Sequence, residues 1–224
     1  MNVNDENTRK IWAKERQAHD LKYPDDAAVR LIHHWAVPRG GGNALDFGCG
    51  TGRNALMLTE LGFNVTAMDY NDYCIDKTRE KMEAAGFKAT YIKNNGTDVP
   101  CPPQSQDLIL AWGSLFCFCR KERNELLHSL KEALKPTGVL IADYRGKDDS
   151  MYGKGKEIEP NVFILDERVK STHVGATYLF VDEKDLRQIM AENGFEVANL
   201  EKRLIYTDNM SQCVAHYYVV AKGN

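Results

Sequence analysis

Short apolar runs alternate with amphipathic stretches through the middle of the chain, from about residue 44 to residue 143. Each run has the length of a buried strand, and the stretches between them end at glycine or proline–glycine signals, as helices do. The predicted strands are residues 44–47, 64–68, 89–93, 107–111 and 139–143, and the predicted helices are residues 54–61, 72–85 and 121–134. Strands separated by helices at this spacing predict a parallel sheet with right-handed crossovers, which is an α/β fold.

The N-terminal part of the chain predicts two helices. One surrounds Trp12, the other begins after Pro24, and residues 38–42 form a proline- and glycine-rich breaker. We therefore expect an N-terminal helical cap over residues 1–38 and a main domain over residues 39–224.

The C-terminal part predicts one helix and two strands. Asp182 is placed to cap the helix, with Asp185 at the matching capping-box position and Gly194 at the helix end. The last two β-like runs, about residues 197–206 and 213–221, are joined by turn residues and predict an antiparallel pair.

The stretch between the fifth predicted strand and that helix has no clean period. Residues 145–175 contain scattered glycines and a lysine–glycine alternation at residues 154–156. A long irregular segment inside a compact domain often closes over a ligand. We therefore expect residues 145–175 to form an irregular substrate lid.

The composition limits the class of protein. The 224 residues carry 29 Lys and Arg against 32 Asp and Glu, a net charge of −3, and 43% of them are hydrophobic. This balance excludes a disordered chain, a collagen-like chain and a disulfide framework. It also lacks the overall basic field that attracts nucleic acid or anionic membranes, so we expect neither as a partner.

The cysteines and the first residues bear on the compartment. The six cysteines include no C-x-x-C pair and no zinc-type histidine spacing, which favours free thiols in a reducing compartment. No apolar run reaches the roughly 18 residues that a membrane span needs, and the polar first 16 residues do not resemble a signal peptide. We expect a cytoplasmic protein.

The segment with the clearest chemistry is residues 45–54, Leu-Asp-Phe-Gly-Cys-Gly-Thr-Gly-Arg-Asn, between a predicted strand and a predicted helix. Glycines there let the backbone turn sharply and approach a ligand, and the amides at the helix start point towards it. Asp69 ends the next strand, seventeen positions after Gly52, where a carboxylate can accept from the ribose hydroxyls of a nucleoside. The segment predicts a nucleoside-cofactor site.

The glycine spacing separates two cofactor classes. A dinucleotide fingerprint has glycine or alanine in its last place, and counting from Gly48 that place is Arg53. Asp46, two residues before the loop, suits a ligand with a positively charged amine better than a pyrophosphate. The loop therefore argues against a nicotinamide cofactor.

In order, these motifs resemble those of the class I S-adenosylmethionine-dependent methyltransferases. The similar segments are residues 45–53, residues 65–69, residues 99–102 leading into residues 107–110, and residues 134–138. The resemblance implies a Rossmann-like, seven-stranded and mostly parallel sheet with helices on both faces and an antiparallel last strand. It also implies an enzyme with S-adenosylmethionine as cofactor and S-adenosylhomocysteine as product.

The resemblance assigns cofactor contacts to positions of this sequence. It places Asp46 and the glycine loop against the methionine part, Asp69 on the ribose hydroxyls and Tyr70 on the adenine face. Asn95 falls where the family usually has an acid that accepts from the adenine amine, and the Trp112 carbonyl falls near the methionine amine. The implied cofactor-binding residues are Asp46, Gly48, Gly50, Gly52, Asp69, Tyr70, Asn95, Gly96 and Trp112.

The methyl acceptor should bind over the carboxyl ends of the strands. His173 is a candidate general base, and Arg145 either holds an anionic substrate or forms a surface salt bridge. We also expect the N-terminal segment to fold over the site, with Trp12 or Tyr23 closing it. The candidate catalytic residues are His173, Asp143 and Tyr144, and the candidate substrate-binding residues are Ser114, Phe116, Arg145 and Tyr152.

A metal site is not expected, because Asp143 is the one carboxylate available at the ends of the fourth and fifth predicted strands. We predict a methyltransferase that acts on an oxygen or nitrogen of a polar small molecule or sugar derivative, as a monomer or homodimer. The alternatives are a protein or RNA methyltransferase, a non-catalytic S-adenosylmethionine-binding module, and a nicotinamide oxidoreductase.

Overall fold

The strands and helices follow the apolar pattern of the sequence closely. The computed structural model describes residues 3–94, 97–169 and 171–223. Its helices are α1 (Val3–Ala18), α2 (Asp26–Trp35), α3 (Arg53–Glu60), α4 (Asp72–Ala84), α5 (Arg120–Ala133) and α6 (Glu183–Glu192). Its strands are β1 (Gly42–Phe47), β2 (Phe63–Asp69), β3 (Thr90–Lys93), β4 (Gln106–Ala111), β5 (Leu134–Gly146), β6 (Gly155–Glu159), β7 (Val162–Leu165), β8 (Thr177–Val181), β9 (Phe195–Thr207) and β10 (Gln212–Gly223). Within those residues, no helix has the length and apolar character that crossing a bilayer requires.

Seven strands form the main sheet, in the order β3–β2–β1–β4–β5–β10–β9. Strands β1 to β5 run parallel to one another, and β10 runs antiparallel to both β5 and β9. The order reverses between β1 and β4, which is where ligands bind in open parallel sheets. The predicted Rossmann-like sheet with an antiparallel last strand is confirmed.

Apolar side chains fill one layer on each face of this sheet. In β4, the side chains of Ile109 and Leu110 belong to different core clusters because alternate strand residues point to opposite faces. Leu127 of α5 and Met190 of α6 lie in one layer, while Leu31 of α2 and Leu58 of α3 lie in the other. Helices therefore cover both faces, as predicted.

The segment predicted as an irregular lid contains regular strands. Within residues 145–175, β6 and β7 pair as an antiparallel hairpin, and β7 pairs with β8. β8 in turn runs parallel to the end of β5, with Arg145 opposite Phe180. The expectation of an irregular segment was wrong, whereas the role of this extension as a substrate lid stays a prediction.

A glycine that indicated flexibility instead serves close packing. A Cβ atom on Gly155 would lie 2.1 Å from the carbonyl oxygen of Ile164, so glycine there lets β6 approach β7. The two strands are five and four residues long, which is too short for a period to be recognised in sequence.

The two helices expected before residue 38 are confirmed and pack on the sheet. Asp25 caps α2 by accepting a hydrogen bond from the Ala27 N–H at 2.9 Å, and Ile32 of this helix is fully buried. Helix α1 lies against α4 and β8. The division of the chain into a cap and a main domain stays a prediction.

The capping box predicted at the start of α6 is confirmed and gives a test of stability. The Asp182 carboxylate accepts from the Asp185 N–H at 2.9 Å, and the Asp185 carboxylate accepts from the Asp182 N–H at 3.0 Å. We expect Asp182→Ala to lower the free energy of unfolding by about 1 kcal/mol because the cap acceptor is lost. Asp182→Asn keeps an acceptor oxygen and should lose less. Both variants lose the ion pair with Lys147, so equal losses in denaturant unfolding would contradict the capping role.

Candidate functional site

A cleft opens at the carboxyl ends of β1, β2 and β4, where the order of the sheet reverses. The turn after β1 forms one wall, and the ends of β2 and β4 and helix α1 form the others. The lining residues are Thr8, Arg9, Trp12, Arg16, Leu21, Phe47, Gly48, Cys49, Gly50, Thr51, Arg53, Asn54, Met68, Asp69, Tyr70, Cys74, Asn94, Trp112, Gly113, Ser114, Cys117 and Phe118.

The turn after β1 has a shape that favours glycine. The N–H groups of Gly48 and Cys49 both donate to the Met68 carbonyl oxygen, at 2.8 Å and 3.0 Å. Gly52 has a φ of 87°, and a Cβ atom there would lie 2.9 Å from the Thr78 side chain. Helix α3 begins at the next residue, so the N–H groups of its first turn lie beside the cleft and are available to a ligand.

Asp69, at the end of β2, is bound to this turn. Its Oδ2 accepts from the Gly50 N–H and its Oδ1 accepts from the Asn71 N–H, both at 2.9 Å. The residue lines the cleft and is 6% exposed. Burial raises the pKa of this carboxyl, and the backbone donors oppose the rise. Each oxygen keeps a second lone pair for a ligand hydroxyl.

Asp46 is a buried acid without a hydrogen-bond partner. It is 0% exposed, and neither carboxylate oxygen has a donor among the described residues. Burial, together with the negative charge of Asp69, raises its pKa to about 7. Asp46 lies outside the described lining of the cleft, but its neighbour Phe47 belongs to it. A positive ligand charge in the cleft favours the ionised form of Asp46.

Two arginines lie at the cleft beside the glycine turn. Arg53 is the first residue of α3 and Arg16 projects from α1. Burial and the positive charge of Arg16 lower the pKa of Arg53. Arg53 Nη1 donates to the Tyr23 carbonyl oxygen at 3.2 Å, and neither arginine has an ion-pair partner among the described residues. Two neighbouring cations favour an anionic ligand group.

Helix α1 covers one side of the cleft. The Tyr70 hydroxyl donates to the Arg9 carbonyl oxygen at 2.7 Å, and the Arg9 guanidinium lies over the Tyr70 ring. Trp12 lines the cleft and contacts His173, with ring centroids 4.8 Å apart. Trp12 thus lies where the N-terminal segment was expected to close the site, whereas Tyr23 is 73% exposed.

The wall after β4 is tied to the end of β5. The Gly113 N–H donates to Asp143 Oδ1 at 2.5 Å, and the Trp112 ring stacks on Tyr218 with centroids 5.3 Å apart. Ser114 follows, and its buried hydroxyl has no partner among the described residues. Asp143 therefore does not line the cleft, but it holds the lining residue Gly113 by accepting a hydrogen bond from its N–H.

His173 lies at the edge of the cleft, in contact with Trp12. Its Nδ1 is 3.0 Å from the Tyr178 hydroxyl oxygen, and burial lowers its pKa. A neutral imidazole is the form that accepts a proton. His173 lies outside the described lining, so its role as a base stays a prediction.

Two predicted residues of β5 do not reach the cleft. Tyr144 is fully buried in the core layer beneath α5, because alternate residues of β5 point to opposite faces. Arg145 forms an ion pair with Asp149 and a hydrogen bond with His216. Of the two alternatives for Arg145, the structure contains the salt bridge, in which the Arg145 side chain is 11% exposed and the Asp149 side chain 2% exposed.

Two predicted substrate residues pack elsewhere. Phe116 is 4% exposed and lies against Tyr178, with ring centroids 5.1 Å apart. Tyr152 packs edge-on against Phe163, and its hydroxyl donates to the Asn161 side-chain oxygen at 3.1 Å. Phe116 and Tyr152 therefore contact β7 and β8 and do not line the cleft.

Most predicted cofactor residues meet at the cleft, and α1 adds residues that sequence reasoning missed. Gly52 shapes the turn without lining the cleft, and Asn95 and Gly96 lie outside the described residues. The predicted residues in the lining are Gly48, Gly50, Asp69, Tyr70, Trp112 and Ser114. The missed set includes Thr8, Arg9, Arg16, Arg53 and Asn54. The spacing of four between Thr8, Trp12 and Arg16 places them on one helix face, a signal that could have found them.

Residues 44–138 match a protein family described as a methyltransferase domain. The chain is 28% identical over 120 residues to the glycine N-methyltransferase of Oryctolagus cuniculus, covering 46% of this chain and 41% of that enzyme. The chain spans less than half the length of this and two further curated relatives.

Solved structures share the fold. A S-adenosylmethionine-dependent methyltransferase of Methanosarcina mazei superposes with a TM-score of 0.73 at 20% identity, covering 86% of this chain and 96% of that one. The 1,6-didemethyltoxoflavin-N1-methyltransferase of Burkholderia thailandensis, solved with S-adenosylhomocysteine, superposes with a TM-score of 0.66 at 16% identity, covering 88% and 77%. At these identities the likeness shows the fold alone.

Burial of Asp46 makes the stability of the unliganded protein depend on pH. Its carboxyl ionises near the ordinary pKa of 3.8 when unfolded but near 7 when folded, so the free energy of unfolding falls as pH rises between these values and then levels off. We expect Asp46→Asn to remove this fall, so that its stability relative to wild type rises by about 2–4 kcal/mol across the window. Denaturant unfolding over a pH series measures this difference, and parallel curves for the two proteins would contradict the raised pKa.

Proposed function

We propose that this chain, whose residues 44–138 match a methyltransferase domain, is a class I S-adenosylmethionine-dependent methyltransferase that binds S-adenosylmethionine in the cleft. It transfers the methyl group to an oxygen or nitrogen of a small polar molecule. The observation that carries the proposal is an unpartnered buried acid, Asp46, with Arg53 near it and with Arg16 near Arg53 in the cleft. The amino-acid end of S-adenosylmethionine carries an ammonium group and a carboxylate group. It therefore supplies a positive partner for Asp46 and a negative partner for the two arginines.

The described residues fit the parts of this cofactor. Asp46 favours the ammonium group of the methionine part, and Arg16 and Arg53 pair with its carboxylate. Asp69 accepts from the ribose hydroxyls with the lone pairs that Gly50 and Asn71 leave open. A pyrophosphate fits less well, because the buried charge of Asp46 opposes a second negative group.

When bound, S-adenosylmethionine supplies a methyl group made electrophilic by its sulfonium sulfur. The protein's main task is to hold donor and acceptor in line, which in general lowers a barrier by up to about 7–11 kcal/mol. Trp112 and Gly113 form the wall that fixes this alignment, and Trp12 helps α1 to exclude water. An acceptor hydroxyl or ammonium must also lose a proton, and His173 is the residue at the edge of the cleft that can take it.

The acceptor side of the cleft supports a small and partly polar substrate. Ser114 presents a buried hydroxyl with no protein partner among the described residues, next to Cys117 and Phe118. Helix α1 covers one side of the cleft, which leaves less room for a protein or RNA acceptor than for a metabolite. Arg145 does not support an anionic acceptor, because Asp149 already pairs with it.

Binding and turnover test separate parts of this proposal. Calorimetric titration with S-adenosylhomocysteine should show one site per chain, and titration with NAD should show none. Incubation with S-adenosylmethionine and pools of small hydroxylated or amino compounds should then release S-adenosylhomocysteine. Preferential binding of NAD would overturn the cofactor assignment, and S-adenosylhomocysteine binding without turnover on any pool would overturn methyl transfer to small molecules.

Removing the Asp69 carboxylate should weaken cofactor binding strongly. We expect Asp69→Ala to lower the affinity for S-adenosylhomocysteine at least about tenfold, because hydrogen bonds from ligand hydroxyls to a charged acceptor are lost. Asp69→Asn keeps one acceptor oxygen, so its affinity for S-adenosylhomocysteine should lie between those of wild type and Asp69→Ala. Calorimetry measures the affinities, and unfolding without ligand checks that the turn survives the loss of the Gly50 and Asn71 contacts.

A neighbouring acid provides the matched control for that experiment. Asp72 lies three residues away on α4 and pairs with Lys93 at the surface, with its side chain 71% exposed. Asp72→Asn removes the same charge outside the cleft and should leave the affinity unchanged. Equal affinities for all four proteins would count against the ribose assignment.

A further inference from the structure

His216 of β10 bridges two residues of β5 beside the cleft. Its Nδ1 lies 3.1 Å from Asp143 Oδ2, and its Nε2 lies 2.8 Å from Arg145 Nη1. A guanidinium group has only donors, so Nε2 must accept from Arg145. The proton of the neutral ring is therefore on Nδ1 and is donated to Asp143. These contacts select one tautomer of His216.

Two routes connect this ring to adjacent residues of the cleft wall. Asp143, which accepts from His216, also accepts from the Gly113 N–H at 2.5 Å. In the second route, the His216 ring stacks on Tyr218 at 6.0 Å between centroids, and Tyr218 stacks on Trp112 at 5.3 Å. Trp112 and Gly113 both line the cleft, whereas His216 does not.

The Arg145 guanidinium is also held by Asp149, through the nitrogen that does not contact His216. Its Nη2 forms a hydrogen-bonded ion pair with Asp149, and Asp149 also accepts from the N–H groups of Ala215 at 3.0 Å and Met151 at 2.9 Å. Asp149 is 4% exposed. The Arg145 guanidinium is therefore fixed in its position against the His216 ring.

We propose that His216 is a positioning residue for the cofactor cleft: it holds Gly113 in the wall through Asp143 and holds Trp112 in the wall through Tyr218. This rests on the proposed function, since the wall is assigned there to cofactor alignment. A side chain at this position that cannot donate to Asp143 and accept from Arg145 leaves both routes to the wall without their common support.

The other charged groups near the ring do not take over this contact. On β9, Arg203 lies opposite His216 in the strand register, but its Nη1 donates to the Asp26 carboxylate at 2.6 Å. Tyr218 on the same strand faces the ring by stacking. The charged or titratable neighbours are Asp143, Arg145, Asp149, Arg203 and Tyr218.

Glutamine at position 216 preserves the hydrogen-bond donor and the acceptor of the ring. Its amide N–H can donate to Asp143 and its amide oxygen can accept from Arg145. We expect His216→Gln to bind S-adenosylhomocysteine within about threefold of wild type, and His216→Ala to bind about tenfold more weakly.

The difference in affinity between the two variants is the decisive quantity, because the glutamine side chain retains both hydrogen bonds and the alanine side chain retains neither. His128 is exposed on α5 and pairs with Glu132, so His128→Ala is the matched control and should bind S-adenosylhomocysteine as wild type does. Thermal unfolding of each variant reports any general loss of stability. Equal affinities of His216→Gln and His216→Ala for S-adenosylhomocysteine would overturn the positioning role alone, whereas a wild-type protein that does not bind S-adenosylhomocysteine would overturn the proposed function and this inference together.

Discussion

The hydrogen bond from the Gly50 N–H to the Asp69 carboxylate joins the two strand ends on which the cleft depends. β1 and β2 are neighbours in the sheet, and this contact fixes the turn after β1 against the end of β2. Thr78 supports the same turn from α4, because its hydroxyl donates to the Gly50 carbonyl oxygen at 2.9 Å. Its side chain also leaves no room for a Cβ atom on Gly52. The turn is therefore defined from two sides before any ligand enters.

The antiparallel last strand matters for the cleft as well as for the sheet. Because β10 pairs with β5 along residues 140–145, it places Tyr218 and His216 beside the carboxyl end of β5. There they meet Trp112, which follows β4. Residues more than a hundred positions apart in sequence thus support one wall. The terminal strand pair is part of the site's support as well as an addition to the sheet's edge.

Sequence reasoning succeeded where a local pattern carried the structural information. The glycine turn, Asp69 and the capping box at Asp182 each follow from a few neighbouring residues, and the structure contains all three contacts. It did not succeed where partners are distant in sequence. Arg145 was a candidate substrate residue with a salt bridge as the alternative, and one of its two partners, His216, lies 71 positions away, where no local pattern links them. The strands of residues 145–175 escaped recognition because their stability comes from pairing with β8, not from their own short patterns.

The charges around the cleft explain why the site suits one kind of ligand. Asp46 has a raised pKa and Arg53 a lowered one, and in both cases the first cause is burial. Each charge is therefore stabilised less than it would be in water. A direct ion pair between Asp46 and Arg53 would offset the free-energy cost of burying the two charges, but Asp46 has no hydrogen-bond donor in the described chain. A ligand that carries an ammonium and a carboxylate group relieves both costs on binding, whereas a dianionic pyrophosphate relieves one and increases the other. The same unsatisfied charges that lower the stability of the unliganded protein thus select a zwitterionic ligand.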